Sequence, residues 1–202
     1  ARLSFRPGAP DAGGGDAIGN SDPGYLADKV IWLTNSGAGA ASRALLARPH
    51  LFTAKPLDVD RWYDLLLKNA RAALAAGETN TAFAIANQVD DAYPAGTDVS
   101  LRPFGERDPY TDLVWLAGQT AMKRLGRPAD AAQMFVRYTG GSRSTALKSK
   151  GYYWAGRAAE AARRSEDAKT YFGRASTYRD QFYGQLATER LGLAMVPPTD
   201  SI

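Results

Sequence analysis

The sequence predicts an all-α protein built from antiparallel helical hairpins that stack on one another. Apolar residues recur at the three- and four-residue spacing of a single helix face along most of the chain. Glycine and proline stand between these segments, at the positions where helices commonly end and begin. A pattern of small and aromatic residues also repeats in the second half of the chain. No stretch of useful length shows the alternation of apolar and polar residues that is typical of a β-strand.

Composition excludes several classes of protein. Hydrophobic residues make up 45% of the 202 residues, which is enough for a folded core over most of the length. The chain has no cysteine, so disulfides, thiol nucleophiles and cysteine-bound metals are excluded. The net charge of +4 is scattered and does not favour nucleic-acid binding. No apolar run approaches the roughly 18 residues of a membrane span.

The two ends of the chain differ from the rest. Residues 1–24 are rich in Gly, Pro, Asp and Ser and lack periodicity, so we expect an irregular N-terminal arm. The chain opens without methionine or a signal-peptide core, which predicts a fragment or a processed form. Pro197-Pro198 ends the ordered pattern. We therefore expect a helical domain over 25–192 and a tail or linker over 193–202.

Four helical segments are predicted in the first half of the chain. Two short segments precede a loop that contains Pro49 and Pro56. Asp58 or Asp60 can cap the third segment, and Gly77 ends it as a residue that adopts left-handed backbone angles easily. The predicted segments are about 25–35, 39–47, 58–77 and 79–93, followed by a connecting loop over 94–109.

Two further hairpins and a last helix are predicted in the second half. Asp108-Pro109 has the form of a cap followed by a first-turn proline. The helix that begins there ends at Gly126, and Pro128 begins its partner. Gly140-Gly141 then separates this hairpin from the next one, in which Trp154, Ala158, Ala161 and Ala162 pair with Ala168, Tyr171, Phe172 and Ala175. The last helix is expected over about 180–192.

The repeat gives the strongest fold information. Aligning Gly118 with Gly156 gives a period of about 38 residues. Small residues on one helix let its partner come close, and an aromatic side chain from the partner fills the remaining gap. This pattern predicts a TPR-like α-superhelix, because one hairpin cannot bury its apolar face alone. The matched positions are Ala121 with Ala159, Ala131 with Ala168 and Phe135 with Phe172, and 62–93 is a looser copy with Gly77 and Ala82.

No catalytic centre is evident in the sequence. None of the five glutamates lies in a sequence context that predicts an apolar pocket, which would raise the pKa of its carboxyl for acid catalysis. His50 is the single histidine and is expected to pack in a loop. Gly13-Gly14-Gly15 precedes no strand and lacks a phosphate-binding lysine. The sequence therefore predicts no catalytic residue, no metal site and no cofactor.

Three segments in order carry a resemblance to a known family. The run from Asp112 to Gly126 resembles a hairpin-opening helix in the superhelical domain of soluble lytic transglycosylases. Tyr152-Tyr153-Trp154-Ala155-Gly156-Arg157-Ala158 is similar to that family's Tyr-Trp-x-Gly-Arg-Ala segment. Phe182-Tyr183-Gly184-Gln185-Leu186-Ala187, followed by Leu191-Gly192, resembles the linker that precedes its catalytic domain. The resemblance covers 112–192 well and 25–111 more loosely.

The resemblance implies a role in cell-wall metabolism. The family cleaves the MurNAc–GlcNAc bond of peptidoglycan without water and leaves a 1,6-anhydro end. Its catalytic glutamate is followed by serine in a downstream lysozyme-like domain, and no glutamate here is followed by serine. We therefore expect a periplasmic, non-catalytic scaffold whose residues 193–202 lead towards an absent catalytic domain. Its implied partners are that domain and a peptidoglycan glycan strand.

A stand-alone TPR-like periplasmic adaptor that binds a protein or peptide is the alternative, because the fold alone does not fix the function. A reading frame that continues into a Glu-Ser-containing domain would decide for the scaffold. The candidate binding residues are Arg157, Tyr183 and Gln185. Arg157 lies on a helix of small residues, where its charge needs a partner, and a structural ion pair or carbonyl contact is the simpler reading. Tyr183 could instead pack against a neighbouring helix.

Overall fold

The fold is entirely helical over the residues that the computed structural model describes, 21–194. This range contains nine α-helices and no strand, so the all-α prediction is confirmed. None of these helices is long and apolar enough to cross a bilayer. The predictions for residues 1–20 and 195–202 lie outside the described residues. The helices are α1 (Pro23–Asn35), α2 (Gly39–Leu46), α3 (Val59–Ala75), α4 (Thr79–Ala86), α5 (Phe104–Lys123), α6 (Pro128–Gly140), α7 (Thr145–Ala161), α8 (Ser165–Ser176) and α9 (Phe182–Arg190).

The chain divides into two compact units between Thr97 and Asp98. The first unit contains α1–α4 and a 3-10 turn over Val89–Ala92, and the second contains α5–α9. Each has its own core of fully buried side chains, such as Leu66 in the first unit and Leu113 in the second. The expected single superhelical domain over 25–192 stays a prediction.

The first unit follows the sequence pattern closely. The Asp58 carboxylate accepts a hydrogen bond from the Arg61 backbone N–H at 3.0 Å and so caps α3 as predicted. Gly77 follows the end of this helix with a φ of 76°. Helix α4 is shorter than expected, because it ends at Ala86 and gives way to the 3-10 turn.

Helix α5 begins earlier than the sequence suggested. It starts at Phe104 with Pro109 inside it, so the prediction of a loop over 94–109 is wrong at its C-terminal end. A proline there removes one hydrogen bond, the one to the Gly105 carbonyl, which lies in an exposed first turn where water can replace it. Arg102 also forms a bidentate ion pair with Glu106 at 2.8 Å, which supports this turn.

The predicted contact between glycine and phenylalanine occurs in both hairpins of the second unit. A Cβ atom on Gly118 of α5 would lie 2.7 Å from Cε1 of Phe135 on α6. A Cβ atom on Gly156 of α7 would lie 2.6 Å from Cε1 of Phe172 on α8. Both rings are buried, so the glycine on one helix makes room for the ring on the next. The repeat is therefore a repeat of packing as well as of sequence.

Candidate functional site

Aromatic rings form a continuous series of contacts through the second unit. The ring centroids of Trp115 and Tyr138 are 5.0 Å apart, and those of Trp115 and Trp154 are 6.1 Å apart. The series continues from Trp154 to Tyr153 at 6.2 Å and from Tyr153 to Tyr183 at 5.4 Å. We call this series the aromatic wall, and its members are Trp115, Phe135, Tyr138, Tyr153, Trp154, Phe182 and Tyr183.

The aromatic wall extends from the core to the surface. Phe135 is fully buried against Gly118, whereas Phe182 is 65% exposed at the start of α9. The rings of the wall belong to α5, α6, α7 and α9. Because residues on one face of a helix recur only every three or four positions, neighbouring rings in the series come mostly from different helices. The exposed end therefore presents the apolar ring of Phe182 to solvent.

Arg157 contacts the wall through Tyr153, one helical turn before it on α7. Its Nη1 donates to the Tyr153 hydroxyl at 3.4 Å, and its Nε lies 4.0 Å from the Glu160 carboxylate. Both contacts are long for charge-assisted bonds, and 38% of the side chain is exposed. These contacts agree with the simpler reading of Arg157 as a residue with local structural partners, and leave part of the guanidinium open to solvent.

Tyr183 and Gln185 lie on α9 but face differently. The Tyr183 ring packs on Tyr153, so the structure brings Tyr183 and Arg157 together around one tyrosine. Gln185 is exposed, and its Nε2 donates to the Arg179 carbonyl at 3.3 Å. Residues two positions apart on a helix do not share a face. The three candidates therefore do not form one cluster, and ligand binding by them stays a prediction.

Gly184 has a steric role that sequence reasoning missed. It is buried, and a Cβ atom there would collide with the backbone carbonyl of Tyr178. Because a carbonyl cannot swing away as a side chain can, only glycine lets α9 begin this close to the end of α8. The glycine inside the Phe-Tyr-Gly segment was the available signal.

Four of the five glutamates form ion pairs with basic side chains. The Arg190 guanidinium of α9 holds Glu160 of α7 at 2.6 Å, so this pair joins two helices. Arg43 binds Glu78 through two hydrogen bonds of 2.7 Å and lowers the pKa of that carboxyl below its ordinary value. A carboxyl whose pKa is lowered in this way remains ionised and is a poor proton donor. Glu106 also pairs with Arg102, and Glu166 pairs with Lys169.

His50 packs in the first unit, as expected for a loop histidine. Its buried ring stacks on Phe52, with centroids 4.8 Å apart, and meets the edge of Trp62 at 5.6 Å. Nδ1 lies 2.7 Å from the Asp91 carboxylate and Nε2 lies 2.9 Å from the Leu46 carbonyl. Both ring nitrogens therefore face acceptors. Within residues 21–194, no group of three or more His, Cys, Asp or Glu side chains could hold a metal ion.

Two lysines lie over rings of the aromatic wall. The Lys150 Nζ is 3.7 Å from the centroid of the Trp115 ring, and the Lys123 Nζ is 5.7 Å from that of Trp154. Sequence reasoning missed both. Lys150 stands one helical turn before Trp154 on α7, so its spacing already placed it on the face that carries the rings.

Comparison with models of protein families, with curated proteins and with solved structures found no match for this chain.

Proposed function

We propose that this chain is a non-catalytic helical scaffold domain of a soluble lytic transglycosylase, an enzyme that cleaves peptidoglycan to 1,6-anhydro ends. In this proposal the hairpins stack into a TPR-like superhelix in the periplasm. The scaffold holds a glycan strand and packs against a catalytic domain that carries the reacting glutamate.

The observation that carries the proposal is the ordered set of three segments, each with a glycine that packing requires. Gly118, Gly156 and Gly184 each stand where a Cβ atom would meet a ring or a backbone carbonyl. A generic helical repeat needs small residues, but it does not need these three at these positions. The resemblance therefore extends to positions that the packing constrains.

The aromatic wall supports a role in holding saccharides. The C–H faces of a pyranose ring are apolar and pack against flat aromatic rings, while tyrosine hydroxyls remain available for hydrogen bonds to the sugar. Phe182 and the partly exposed Tyr183 offer such rings at the surface of the second unit. A glycan strand that lies along this face would meet both kinds of group.

The ion pairs of the glutamates support a reaction carried out elsewhere. The family's chemistry needs a carboxylic acid that first donates a proton and then accepts one. Arg43 lowers the pKa of the Glu78 carboxyl and so favours its ionised form, and Arg190 holds Glu160 in an ion pair. Such carboxylates suit a structural role.

Sedimentation with purified peptidoglycan sacculi tests the proposal. We expect the chain to sediment with sacculi and to release no 1,6-anhydro products, as measured by mass spectrometry of the supernatant. Phe182→Ala should reduce the sedimented fraction, because it removes the exposed ring of the aromatic wall. Phe104→Ala is the matched control, since Phe104 is 69% exposed at the start of α5 and lies outside the wall.

Two results would contradict the proposal. The first is a chain that stays in the supernatant at every sacculus concentration. The second is the release of anhydro products by the purified chain, since this would place the chemistry within it.

A peptide-binding adaptor is the second candidate, and a groove in the first unit favours it. The groove has a volume of about 690 Å³ and lies between α1, α3 and the loop before α3. Its lining includes the exposed Ile31 and Leu57 and the buried Trp62. Apolar side chains in a groove of this size suit an amphipathic segment. Both variants can be compared in the sedimentation experiment. If Leu57→Asp weakens sedimentation with sacculi and Phe182→Ala leaves it unchanged, the result favours this groove over the aromatic wall.

A further inference from the structure

A hollow opens beside the exposed end of the aromatic wall. Its volume is about 390 Å³, within the range of about 300–1,000 Å³ that is common for small-molecule sites. Its walls come from the end of α6, the first two turns of α7 and the start of α9. Three aromatic side chains, those of Tyr138, Phe182 and Tyr183, line it.

Four polar groups that line the hollow have no hydrogen-bond or ion-pair partner within the part of the chain that the structure describes. Ser144 and Ser149, which also line it, are already engaged, because Ser144 caps α7 and Ser149 donates to the Ala146 carbonyl. Converging polar groups of this kind fix the orientation of a ligand in an otherwise apolar pocket. The four groups are the Lys150 ammonium, the Tyr138 and Tyr183 hydroxyls and the Gln181 amide.

The charge of the hollow favours an anion. Its lining contains one basic side chain, Lys150, and no acidic one. The Lys150 ammonium lies over the Trp115 and Tyr138 rings at 3.7 and 5.4 Å, and Asp112 is the carboxylate whose charge acts on it. Burial lowers the pKa of this ammonium below its ordinary value, against the opposing effect of Asp112. A carboxylate brought by a ligand would supply the counter-charge that the lining lacks.

The Tyr138 phenol remains neutral in this environment. Burial, together with the charges of Asp112 and Tyr183, raises its pKa to about 12. It therefore keeps its proton at any ordinary working pH and can donate a hydrogen bond to a sugar hydroxyl or a carboxylate.

We propose that this hollow is a binding subsite for a saccharide that carries a carboxylate. The pyranose ring packs on Phe182 and Tyr183, the carboxylate meets Lys150, and the free hydroxyls of Tyr138 and Tyr183 bind the sugar's polar edge. That the carboxylate is the lactyl group of N-acetylmuramic acid rests on the proposed function. The subsite itself rests on the hollow, its rings and its lysine.

Titration of the full chain with three soluble tetrasaccharides, followed by amide shifts in nuclear magnetic resonance, tests the subsite. The probes are the peptide-free GlcNAc–MurNAc tetrasaccharide, tetragalacturonate and chitotetraose, which has the N-acetyl groups without a carboxylate. We expect the muramic tetrasaccharide to bind about tenfold or more tightly than chitotetraose, because a charge-assisted contact to Lys150 is added. The shifts should centre on residues 149–150 and 181–183.

Variants at the lysine separate its charge from its packing. Lys150→Met keeps an apolar stem against Trp115 and removes the charge, so we expect the preference for the acidic saccharide to disappear. Lys150→Arg should restore it, because the guanidinium keeps both the charge and the ring contact. Lys148→Met, on the same helix and outside the lining, is the matched control and should leave the preference intact.

The possible outcomes divide cleanly. Equal binding of all three saccharides, no binding of any, or an unchanged preference in Lys150→Met would overturn the subsite, even if the chain still sediments with sacculi. Binding of tetragalacturonate without the muramic tetrasaccharide would uphold the subsite and count against the proposed peptidoglycan function.

Discussion

Arg163 occupies a position at which the two preceding hairpins have glycine. Its φ is 59°, and no other residue apart from glycine has a positive φ among residues 21–194. Gly77 and Gly126 fill the equivalent turns with φ values of 76° and 61°. A side chain in this region is strained, because its Cβ crowds the following carbonyl oxygen.

Replacing this arginine with glycine should stabilise the second unit. We expect Arg163→Gly to raise the free energy of unfolding by about 0.5–1 kcal/mol, since relief of the left-handed strain exceeds the extra entropy that glycine loses on folding. Urea denaturation measures the change. Arg163→Ala is the control, because it removes the same side chain and keeps the strain. An equal gain in both variants would show that the arginine side chain, and not its backbone angle, limits stability.

The ion pair between Arg43 and Glu78 predicts a pH-dependent contribution to the stability of the first unit. Arg43 lowers the pKa of the Glu78 carboxyl from its ordinary value of 4.5, so the pair stabilises the fold above that pH and loses its effect as the pH falls through the lowered value. Thermal unfolding should therefore show Glu78→Gln less stable than the unmodified chain at pH 7, with the difference vanishing in acid.

Glu189→Gln provides the comparison for this measurement. Glu189 is exposed on α9 and makes no ion pair within the described part of the chain. The Glu189→Gln variant should have the same melting temperature as the unmodified chain at pH 7 and in acid. A difference for Glu78→Gln that persists in acid would mean that the amide disturbs packing and that the charge is not responsible.

The hairpins of the second unit depend on the fit of a glycine against a ring. We expect Gly156→Ala to lower the free energy of unfolding by about 1–3 kcal/mol, because the new methyl group would overlap Phe172. Gly173→Ala on α8 meets no atom within 4 Å and should instead stabilise by about 0.5–1 kcal/mol. Chemical denaturation of both variants gives the comparison.

A double variant tests whether overlap with Phe172 causes the loss of stability in Gly156→Ala. Phe172→Leu shortens the ring side chain, so its cost should be smaller in the Gly156→Ala background than in the unmodified chain. Strictly additive costs would show that the glycine is needed for some reason other than its contact with the ring.

Local spacing predicted most of the helices because their signals are contained in a few neighbouring residues. Asp58, Gly77 and Pro128 mark helix ends through their own backbone and side-chain chemistry. The predicted start of α5 at Pro109 was wrong, because proline is also tolerated further inside a helix at little cost in free energy when the carbonyl that loses its hydrogen bond is exposed. Here that carbonyl belongs to Gly105, and water can replace the missing partner. The pairing of Arg102 with Glu106 was the signal for the true start of α5.

The candidate site was less accessible from the sequence, because its contacts join distant residues. The packing of Gly156 on Phe172 could be predicted, since both belong to one hairpin and its repeat. The bond between Glu160 and Arg190 spans 30 positions, and the contact between Lys150 and Trp115 joins two hairpins. Such contacts depend on how helices pack, and the local spacing of residues does not reveal this packing.

The division into two compact units predicts that each unit keeps its stability when the other is weakened. Leu66→Ala should lower the free energy of opening of the α3 and α4 amides by about 2–5 kcal/mol, because it opens a cavity at a fully buried position. The amides of α5 and α7 should keep theirs. Leu113→Ala, equally buried in the second unit, should produce the reverse pattern. Native-state hydrogen exchange measures both, and loss of protection throughout the chain in either variant would mean one cooperative body.

The recurrence of one glycine-and-ring fit in consecutive hairpins has a consequence for how such a chain can change in length. Each contact between glycine and phenylalanine depends on residues within its own helix pair. Duplicating a whole pair would therefore copy the complete contact and leave those of the neighbouring pairs unchanged. Adding a single amino acid inside a helix would instead rotate the glycine about 100° away from its ring. Growth by complete modules is therefore tolerated where growth by single insertions is not.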